Sequence, residues 1–260
     1  MQPTVNIALR VLREAGEELT QAVERFDFAD ASESEISKFI AECCIGTEKK
    51  LIFSLRKHFP EHSFQGRETG FHERNPETDT VWFINPIDGL DNFRNGLPLY
   101  SIVLVCQVNG KVEHAVVFNP ASGEEFSASR GRGSEYNNRR TRTGERLKID
   151  LAMIGLKYPG LAQNERNDRL RTRIANFSNQ VRGVRVLGSD AITMAYAAAG
   201  RIDGVWMSEV DSINLMAGSL LMKEAGCLIC DFAGGNDMDK QGDVVAANPK
   251  LMKTIIQTSL

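Results

Sequence analysis

The segment 83–93, FINPIDGLDNF, combines residue types that can hold a metal ion or a phosphate group. An apolar, strand-like run at 81–84 stops at Asn85 and turns through Asp88 and Gly89. A carboxylate beside a glycine turn at the end of a strand is a common way to present such a site. Asp88 is the single carboxylate near the entry of the turn, because Asn85 stands where a second would be most useful. The segment therefore indicates a working metal site, a site that has lost its metal, or an ordinary turn.

The composition is that of a soluble globular protein and excludes several functional classes. The 260 residues suffice for one large domain or two small ones with a shared core. Charged residues make up 25% of the chain, and the net charge of -3 gives no general attraction to nucleic acid or to an anionic membrane. No run of 18 apolar residues and no signal-peptide pattern occurs, so we expect a cytoplasmic protein that does not associate with membranes.

The five cysteines, an odd number, argue against a disulfide framework and for a reducing compartment. Cys227 and Cys230 form a C-x-x-C pair, a spacing that elsewhere binds zinc or undergoes redox chemistry. Here the pair lies in an apolar, strand-like segment after a helix, and no second such pair exists. We therefore interpret both residues as buried structural thiols.

The spacing of apolar residues predicts the elements that position the turn at Gly89. Helical spacing predicts a first helix over 5–23, and a second helix is predicted from Thr47, as its N-cap, to the residue before Pro60. The acidic stretch 27–37 is interpreted as an exposed loop, and 66–79 as a polar loop.

Strands dominate the middle of the chain. Asn109-Gly110 predicts a tight hairpin between two strands, and a third strand follows at 124–130. After residue 150, strands alternate with helices, one of which begins at Ser189 or Asp190. A strand meander followed by this alternation predicts an α/β (α+β) protein with layered helices and sheets.

The segment 82–93, WFINPIDGLDNF, resembles the pattern W-x-x-D-P-[IL]-D-G-T-x-N-F of the inositol monophosphatase family. Four other stretches agree with that family in order and spacing: FQGRETG, AVVFNPASGEEFSASRGRGSEYNN, GSDAITMAYAAAGRIDG and NLMAGSLLMKEAGCLICDFAGG. The chain is most similar to the bacterial extragenic-suppressor branch. The resemblance implies a five-layer αβαβα sandwich of the inositol monophosphatase and fructose-1,6-bisphosphatase type. It also implies a homodimer that acts on phosphate monoesters with magnesium.

We divide the predicted fold into two halves of one compact unit. Residues 1–145 form an α+β half that carries the former metal motifs, and residues 146–260 form an α/β half that completes the pocket.

The positions that the resemblance assigns to magnesium are mostly substituted. Arg67, followed by Glu68, stands where the family has its metal-binding glutamate, and Asn85 and Asn214 replace two aspartates. Asp88 is the one member of the main metal set that is retained.

Three further positions depart from the family pattern. Leu90 replaces the threonine whose hydroxyl positions the attacking water. Cys44 falls on a fourth acidic position, and Met207 on the glutamate that holds substrate hydroxyls. No catalytic residue can therefore be assigned from the motifs.

These substitutions remove the charge that magnesium requires. Mg²⁺ is a hard cation that depends on carboxylate ligands, and Arg67, Asn85, Asp88 and Asn214 together carry no net formal charge. We therefore predict a degenerate magnesium site, no tightly bound cofactor, and weak or absent phosphatase activity. The alternative is that Glu68 and Asp91 rebuild a Mg²⁺ site that hydrolyses inositol or sugar phosphate monoesters.

A second alternative retains an anion site without a metal. Gly89, Leu90 and Asp91 lead into one predicted helix, and a second opens with Gly188-Ser189-Asp190. Backbone N–H groups at helix N-termini bind phosphate, and Arg67 can supply the counter-charge. The pocket would then bind a phosphorylated small molecule without hydrolysing it, although the Asp190 carboxylate would compete with the anion.

Two arginine-rich stretches, 130–146 and 166–174, raise the question of nucleic-acid binding. Tyr136 is the single aromatic residue among them, which is little for base stacking, so solvated faces are the simpler interpretation. The extragenic-suppressor resemblance implies instead a protein partner in ribosomal RNA transcription or processing. The hypotheses are thus a regulatory pseudoenzyme, a residual phosphatase, and a structural subunit with an idle pocket.

Overall fold

The computed structural model describes residues 2–72, 78–160 and 163–259, which form two β-sheets and three layers of helix. The helices are α1 Pro3–Arg25, α2 Glu33–His58, α3 Leu90–Arg94, α4 Glu165–Ser178, α5 Asp190–Ala198, α6 Ser212–Glu224, α7 Met238–Gln241 and α8 Pro249–Ser259. The strands are β1 Ser63–Gly66, β2 Gly70–His72, β3 Thr80–Asp88, β4 Ser101–Val108, β5 Lys111–Asn119, β6 Glu124–Ser129, β7 Gly133–Tyr136, β8 Arg139–Thr141, β9 Met153–Leu156, β10 Gly183–Arg185, β11 Gly204–Met207, β12 Leu228–Cys230 and β13 Val244–Ala247.

The first sheet is an eight-stranded meander in the order β2-β1-β3-β4-β5-β6-β7-β8, with β1 and β3 parallel and the other pairs antiparallel. The second sheet has five strands in the order β10-β9-β11-β13-β12. The predicted division after residue 145 falls between the two sheets and stays a prediction.

Alternation of side chains along the strands creates the layers. In β4, Ile102, Leu104 and Cys106 pack with α1 and α2, whereas Val103 and Val105 pack with α5 and α6. The second sheet alternates in the same way, so one face packs on α5 and α6 and the other on α4 and α8. The order helix, sheet, helix, sheet, helix confirms the predicted αβαβα sandwich, with α5 and α6 enclosed between the sheets.

The N-terminal part of α2 corrects the sequence interpretation. The predicted loop 27–37 ends at Ser32, where a capping box begins the helix: the Ser32 hydroxyl accepts from the Glu35 N–H at 3.3 Å, and Glu35 accepts from the Ser32 N–H at 2.9 Å. Thr47, predicted as the N-cap, is buried in mid-helix. Glu33 and Glu35 are first-turn residues of the helix, whereas Asp27 and Asp30 lie in the loop before it.

The strand predictions are right in the meander and incomplete at its end. Asn109 and Gly110 have φ angles of 51° and 70°, which confirms the tight hairpin. The arginine-rich stretch 130–146 is not only a solvated face, because β7 and β8 extend the sheet there. Part of the predicted loop 66–79 is strand β2, and its residues 73–77 lie outside the described residues.

The five cysteine thiols are free and buried, which confirms the structural interpretation of Cys227 and Cys230. Burial raises the pKa of the Cys227 thiol to about 11, so the neutral form predominates at neutral pH. In the described part of the chain, no helix has both the length and the apolar character needed to cross a membrane.

The capping box predicts a measurable contribution of Ser32 to stability. Ser32→Ala should lower the free energy of unfolding by about 1 kcal/mol, because it removes an N-cap acceptor. Ser34→Ala, an exposed change within the same helix, is the control and should have little effect. Urea denaturation measures both, and equal stability of the two variants would contradict the observed helix start.

Candidate functional site

Four segments meet at the carboxyl end of β3. They are the end of β3 itself, the turn between β1 and β2, and the N-termini of α5 and α6. Gly89 permits this meeting, since its φ is 91° and a Cβ there would lie 2.9 Å from the Leu99 carbonyl oxygen and 3.2 Å from Ser189 Cβ. The glycine turn therefore brings Asp88 directly against the first turn of α5.

Asp88 is almost fully buried, and both of its oxygens accept hydrogen bonds from the protein. Oδ2 accepts from the Ser189 hydroxyl at 2.5 Å and from the Ala191 N–H at 2.9 Å. Oδ1 accepts from Asn214 Nδ2 at 2.7 Å. The carboxylate thus occupies the N-terminus of α5, where the anion hypothesis placed a phosphate group.

Asn85 and Asn214 form a buried amide pair beside Asp88. Asn85 Nδ2 donates to Asn214 Oδ1 at 2.9 Å, and both side chains are no more than 1% exposed. In the opposite orientation of its amide, Asn85 accepts from Arg67 Nη1 at 3.2 Å. In either orientation the guanidinium group of Arg67 lies against the Asn85 amide.

Arg67 projects into the site instead of pointing to solvent. Its Nη1 lies 3.3 Å from Asp211 Oδ2, and its backbone N–H donates to the Ile84 carbonyl at 3.1 Å. The side chain is 37% exposed, so the guanidinium group is accessible from the mouth of the site. Glu68 and Asp91, the substitute ligands considered from the sequence, are exposed.

Glu48 holds the backbone that carries Arg67, and sequence reasoning missed it. The Glu48 carboxylate is fully buried and accepts from the N–H groups of Glu68 and Thr69 at 2.9 and 2.8 Å, and from the Thr69 hydroxyl at 2.5 Å. A Cβ at Gly66 would lie 2.1 Å from Glu48 Oε1, so only glycine fits there. The sequence offered one signal of its position. Glu48 lies four residues after Cys44, so the two residues share one face of the helix.

A second set of charges lies beside α5 and also went unpredicted. Lys157 Nζ donates to Asp190 Oδ2 and to the Glu209 carbonyl, both at 2.7 Å. Arg166 contacts the Glu209 carboxylate and donates to Asp243 at 2.7 Å. Asp190 is therefore paired with a lysine, and burial still raises its pKa.

The remaining predicted residues divide between the site and the core. Gly188, Ser189 and Asp190 adjoin Asp88, and Leu90 lies at the mouth with 36% exposure. Met207 is 1% exposed and packs in the cluster between the sheets, so the structure does not place its side chain on the pocket surface. The reason is the strand alternation of β11, which turns position 207 toward the α5 and α6 layer.

Cys44 lies near Arg67 and Glu68 but is 4% exposed. Burial, with the Glu68 charge as a smaller cause, raises the pKa of its thiol to about 12. The thiol is therefore neutral at neutral pH.

A magnesium ion at this site would have to compete with contacts that the side chains already make. Both oxygens of Asp88 accept protein hydrogen bonds, the Asn85 and Asn214 amides lie 2.9 Å apart, and Arg67 adds a permanent cation. Within the ranges that the structure describes, no group of three or more His, Cys, Asp or Glu side chains is arranged to hold a metal ion. The arrangement can instead bind an anion weakly or serve as a rigid buried network.

Comparisons with known proteins agree on one family. A sequence model described as the inositol monophosphatase family matches residues 1–260. The Nus factor SuhB of Pseudomonas aeruginosa PAO1 is 37% identical over 260 residues, which cover 99% of this chain and 96% of that protein. The Nus factor SuhB of Escherichia coli K12 is 32% identical over 256 residues, covering 98% and 95%.

Solved structures give the same result. The extragenic suppressor protein suhB from Bartonella henselae has a TM-score of 0.87 and 25% identity, covering 99% of each chain. An IMPase from Thermotoga maritima has a TM-score of 0.83 and 26% identity, covering 99% of this chain and 97% of that one. The five-layer arrangement is therefore shared with both proteins.

The buried carboxylate predicts a pH dependence of stability. Burial, together with the charge of Asp190, raises the pKa of Asp88 from 3.8 to about 6. Because the folded state binds this proton more tightly than the unfolded state, stability from this group is fully present below about pH 4. It is lost as the pH rises through about 6, by about 3 kcal/mol.

Asp88→Asn should remove this part of the pH dependence, and Asp150→Asn, at an exposed position, should not. Urea denaturation of the three proteins at about pH 4.5 and about pH 7.5 measures the effect. A slope in Asp88→Asn equal to that of the unmodified protein would contradict the assignment.

Proposed function

Because the chain belongs to the inositol monophosphatase family, we propose that it retains the phosphatase fold, has lost hydrolytic activity, and works as a regulatory binding protein. One observation carries this proposal: both oxygens of the Asp88 carboxylate already accept hydrogen bonds from the N-terminal turns of α5 and α6. An ion at this position would have to displace those donors and also approach Arg67.

Hydrolysis of a phosphate monoester near neutral pH requires two contributions. A water molecule must be activated, and charge on the transferred phosphoryl group must be compensated. Arg67 can compensate charge, but a guanidinium group does not generate hydroxide. Leu90 has no hydroxyl that could direct a water molecule. The chain thus retains part of the binding chemistry and lacks the activating part.

The relatives support a regulatory role. Two proteins that align with almost the whole chain are named Nus factor SuhB. We therefore assign the chain a protein partner in transcription or RNA processing, which would require a cytoplasmic location. Neither role depends on hydrolysis at the Asp88 site.

Exposed apolar side chains near the site support a protein contact, and a homodimer is part of the proposal. Leu97 is 51% exposed and Val186 is 56% exposed. Their loops are joined by Asn92, whose Nδ2 donates to the carbonyls of Leu99 and Leu187 at 2.6 and 2.7 Å. Apolar groups clustered at a rigid surface are typical of interfaces.

A second candidate function is the binding of a phosphorylated small molecule without turnover. The observation that favours it is the 37% exposure of the Arg67 side chain at the mouth of the site. The pairing of Asp190 with Lys157 also reduces the competition that the sequence suggested. The Asp211 carboxylate near Arg67 repels an anion and so limits the affinity of the site for a phosphorylated ligand. This candidate therefore ranks below the regulatory role, which requires no ligand in the pocket.

The proposal predicts that activity returns only when the substituted positions are restored together. The combined variant Arg67→Glu, Asn85→Asp, Leu90→Thr and Asn214→Asp should bind Mg²⁺, so that its Tm rises with the ion. It should also hydrolyse a generic phosphate monoester such as p-nitrophenyl phosphate. The unmodified protein should show no Mg²⁺-dependent rate above background and no shift in Tm.

Addition of Asp88→Ala to the combined variant is the matched control and should abolish both effects. Turnover by the unmodified protein that requires Mg²⁺ and disappears in Asp88→Ala would contradict the proposal and favour the residual phosphatase. The contribution of the pocket to partner binding is measured by comparing the unmodified and combined variants in a pull-down with transcription complexes.

The second candidate predicts a specific loss on removal of Arg67. Calorimetric titration with inositol 1-phosphate should show weak saturable binding that falls about tenfold in Arg67→Ala, since a charge-assisted hydrogen bond is lost. Arg94→Ala, at a surface ion pair with Glu33, should leave the affinity unchanged. Equal affinity in the unmodified protein and Arg67→Ala would eliminate this candidate.

A further inference from the structure

We propose that a small oxyanion binds in a cavity between the first turn of α1 and strands β6 and β7. The cavity has a volume of about 240 Å³, and its polar walls come from Gln2, Ser127, Ser129, Arg132 and Glu135. It shares no residue with the site around Asp88, so the inference is independent of the proposed function.

The N-terminus of α1 supplies the first part of the site. This helix has 23 residues, begins with Pro3, and contains no acidic residue in its first turn. Gln2 at the N-cap makes no side-chain capping bond. The N–H groups of Thr4 and Val5 therefore have no acceptor within the helix, and Val5 lines the cavity. Such groups, together with the positive end of the helix dipole, bind anions.

Ser127 supplies the second, independent part. Phe126 and Ala128 pack in the cluster with α5 and α6, so the alternation of β6 turns Ser127 and Ser129 toward α1. Ser127 is 5% exposed and lines the cavity. Within the described ranges, no hydrogen-bond partner of its hydroxyl group is found, whereas the Ser129 hydroxyl bonds His114 Nδ1 at 2.9 Å. The Ser127 hydroxyl is not among the fully enclosed atoms that lack a partner in the described residues, so it is open to the cavity, where a bound oxyanion would accept its proton.

The charges around the cavity define which anions fit. Arg132 lies in the turn between β6 and β7, where its N–H donates to the Ser129 carbonyl at 2.9 Å. Its guanidinium group is exposed and forms no ion pair with any residue that the structure describes. Glu135 also lines the cavity and limits the positive potential. A monoanion, such as monobasic phosphate or a short carboxylate, therefore fits better than a polyphosphate or a nucleic acid.

Calorimetric titration of the full chain with inorganic phosphate at about pH 6, where the monoanion predominates, and with acetate, tests the inference at matched ionic strength. Saturable binding of either anion supports the site, and the anion that binds more tightly identifies phosphoryl or carboxylate chemistry. No saturable binding of either one overturns it.

Variants assign the binding to the cavity. Arg132→Ala should weaken binding about tenfold, and Ser127→Ala should weaken it severalfold, because each removes one donor to the anion. Arg139→Ala, at an exposed arginine on β8 outside the cavity, and Arg67→Ala should leave the affinity unchanged. Unchanged affinity in both Arg132→Ala and Ser127→Ala, or a loss confined to Arg67→Ala, would overturn the proposal.

Discussion

The buried carboxylate of Asp88 is the constraint on which the rest of the site depends. It joins the end of β3 to α5 through Ser189 and Ala191, and to α6 through Asn214. Removal of a charge from water costs several kcal/mol unless hydrogen bonds or opposite charges replace the solvent. The protein provides three donors within 2.9 Å, and these donors fix α5 and α6 relative to the first sheet.

The neighbouring charges are compensated locally in the same way. Asp211 faces Arg67, and Asp190 faces Lys157. Glu48 has no cation partner among these pairs but accepts three hydrogen bonds from the turn that carries Arg67. Asp190 and Asp211 are thus paired with cations, whereas Asp88 and Glu48 are held by neutral hydrogen-bond donors. These contacts join the layers of the αβαβα architecture at the carboxyl end of β3.

The sequence allowed the layered fold and the Asn109-Gly110 hairpin to be predicted, because these features depend on local patterns and motif spacing. The contacts between distant segments could not be predicted. Asn85 and Asn214 are 129 residues apart, and their amide pair requires β3 and α6 to meet. Met207 was assigned by alignment to a ligand position, but strand alternation turns it into the core. The start of α2 at Ser32 was within reach, since Ser32 and Glu35 have the spacing of a capping box.

The substituted positions around Asp88 are coupled, because Asn85 contacts Asn214, Asn214 donates to Asp88, and Arg67 lies against Asn85 and Asp211. A carboxylate at position 214 would lose the amide proton that Asp88 now accepts at 2.7 Å, and would place a like charge beside it. A glutamate at position 67 would face Asp211 in place of the present ion pair. Single reversions thus create repulsion without a complete set of metal ligands, and neighbouring changes of this kind are not additive. Single changes at these positions would therefore disturb the contacts around Asp88 more than the sum of separate substitutions would suggest.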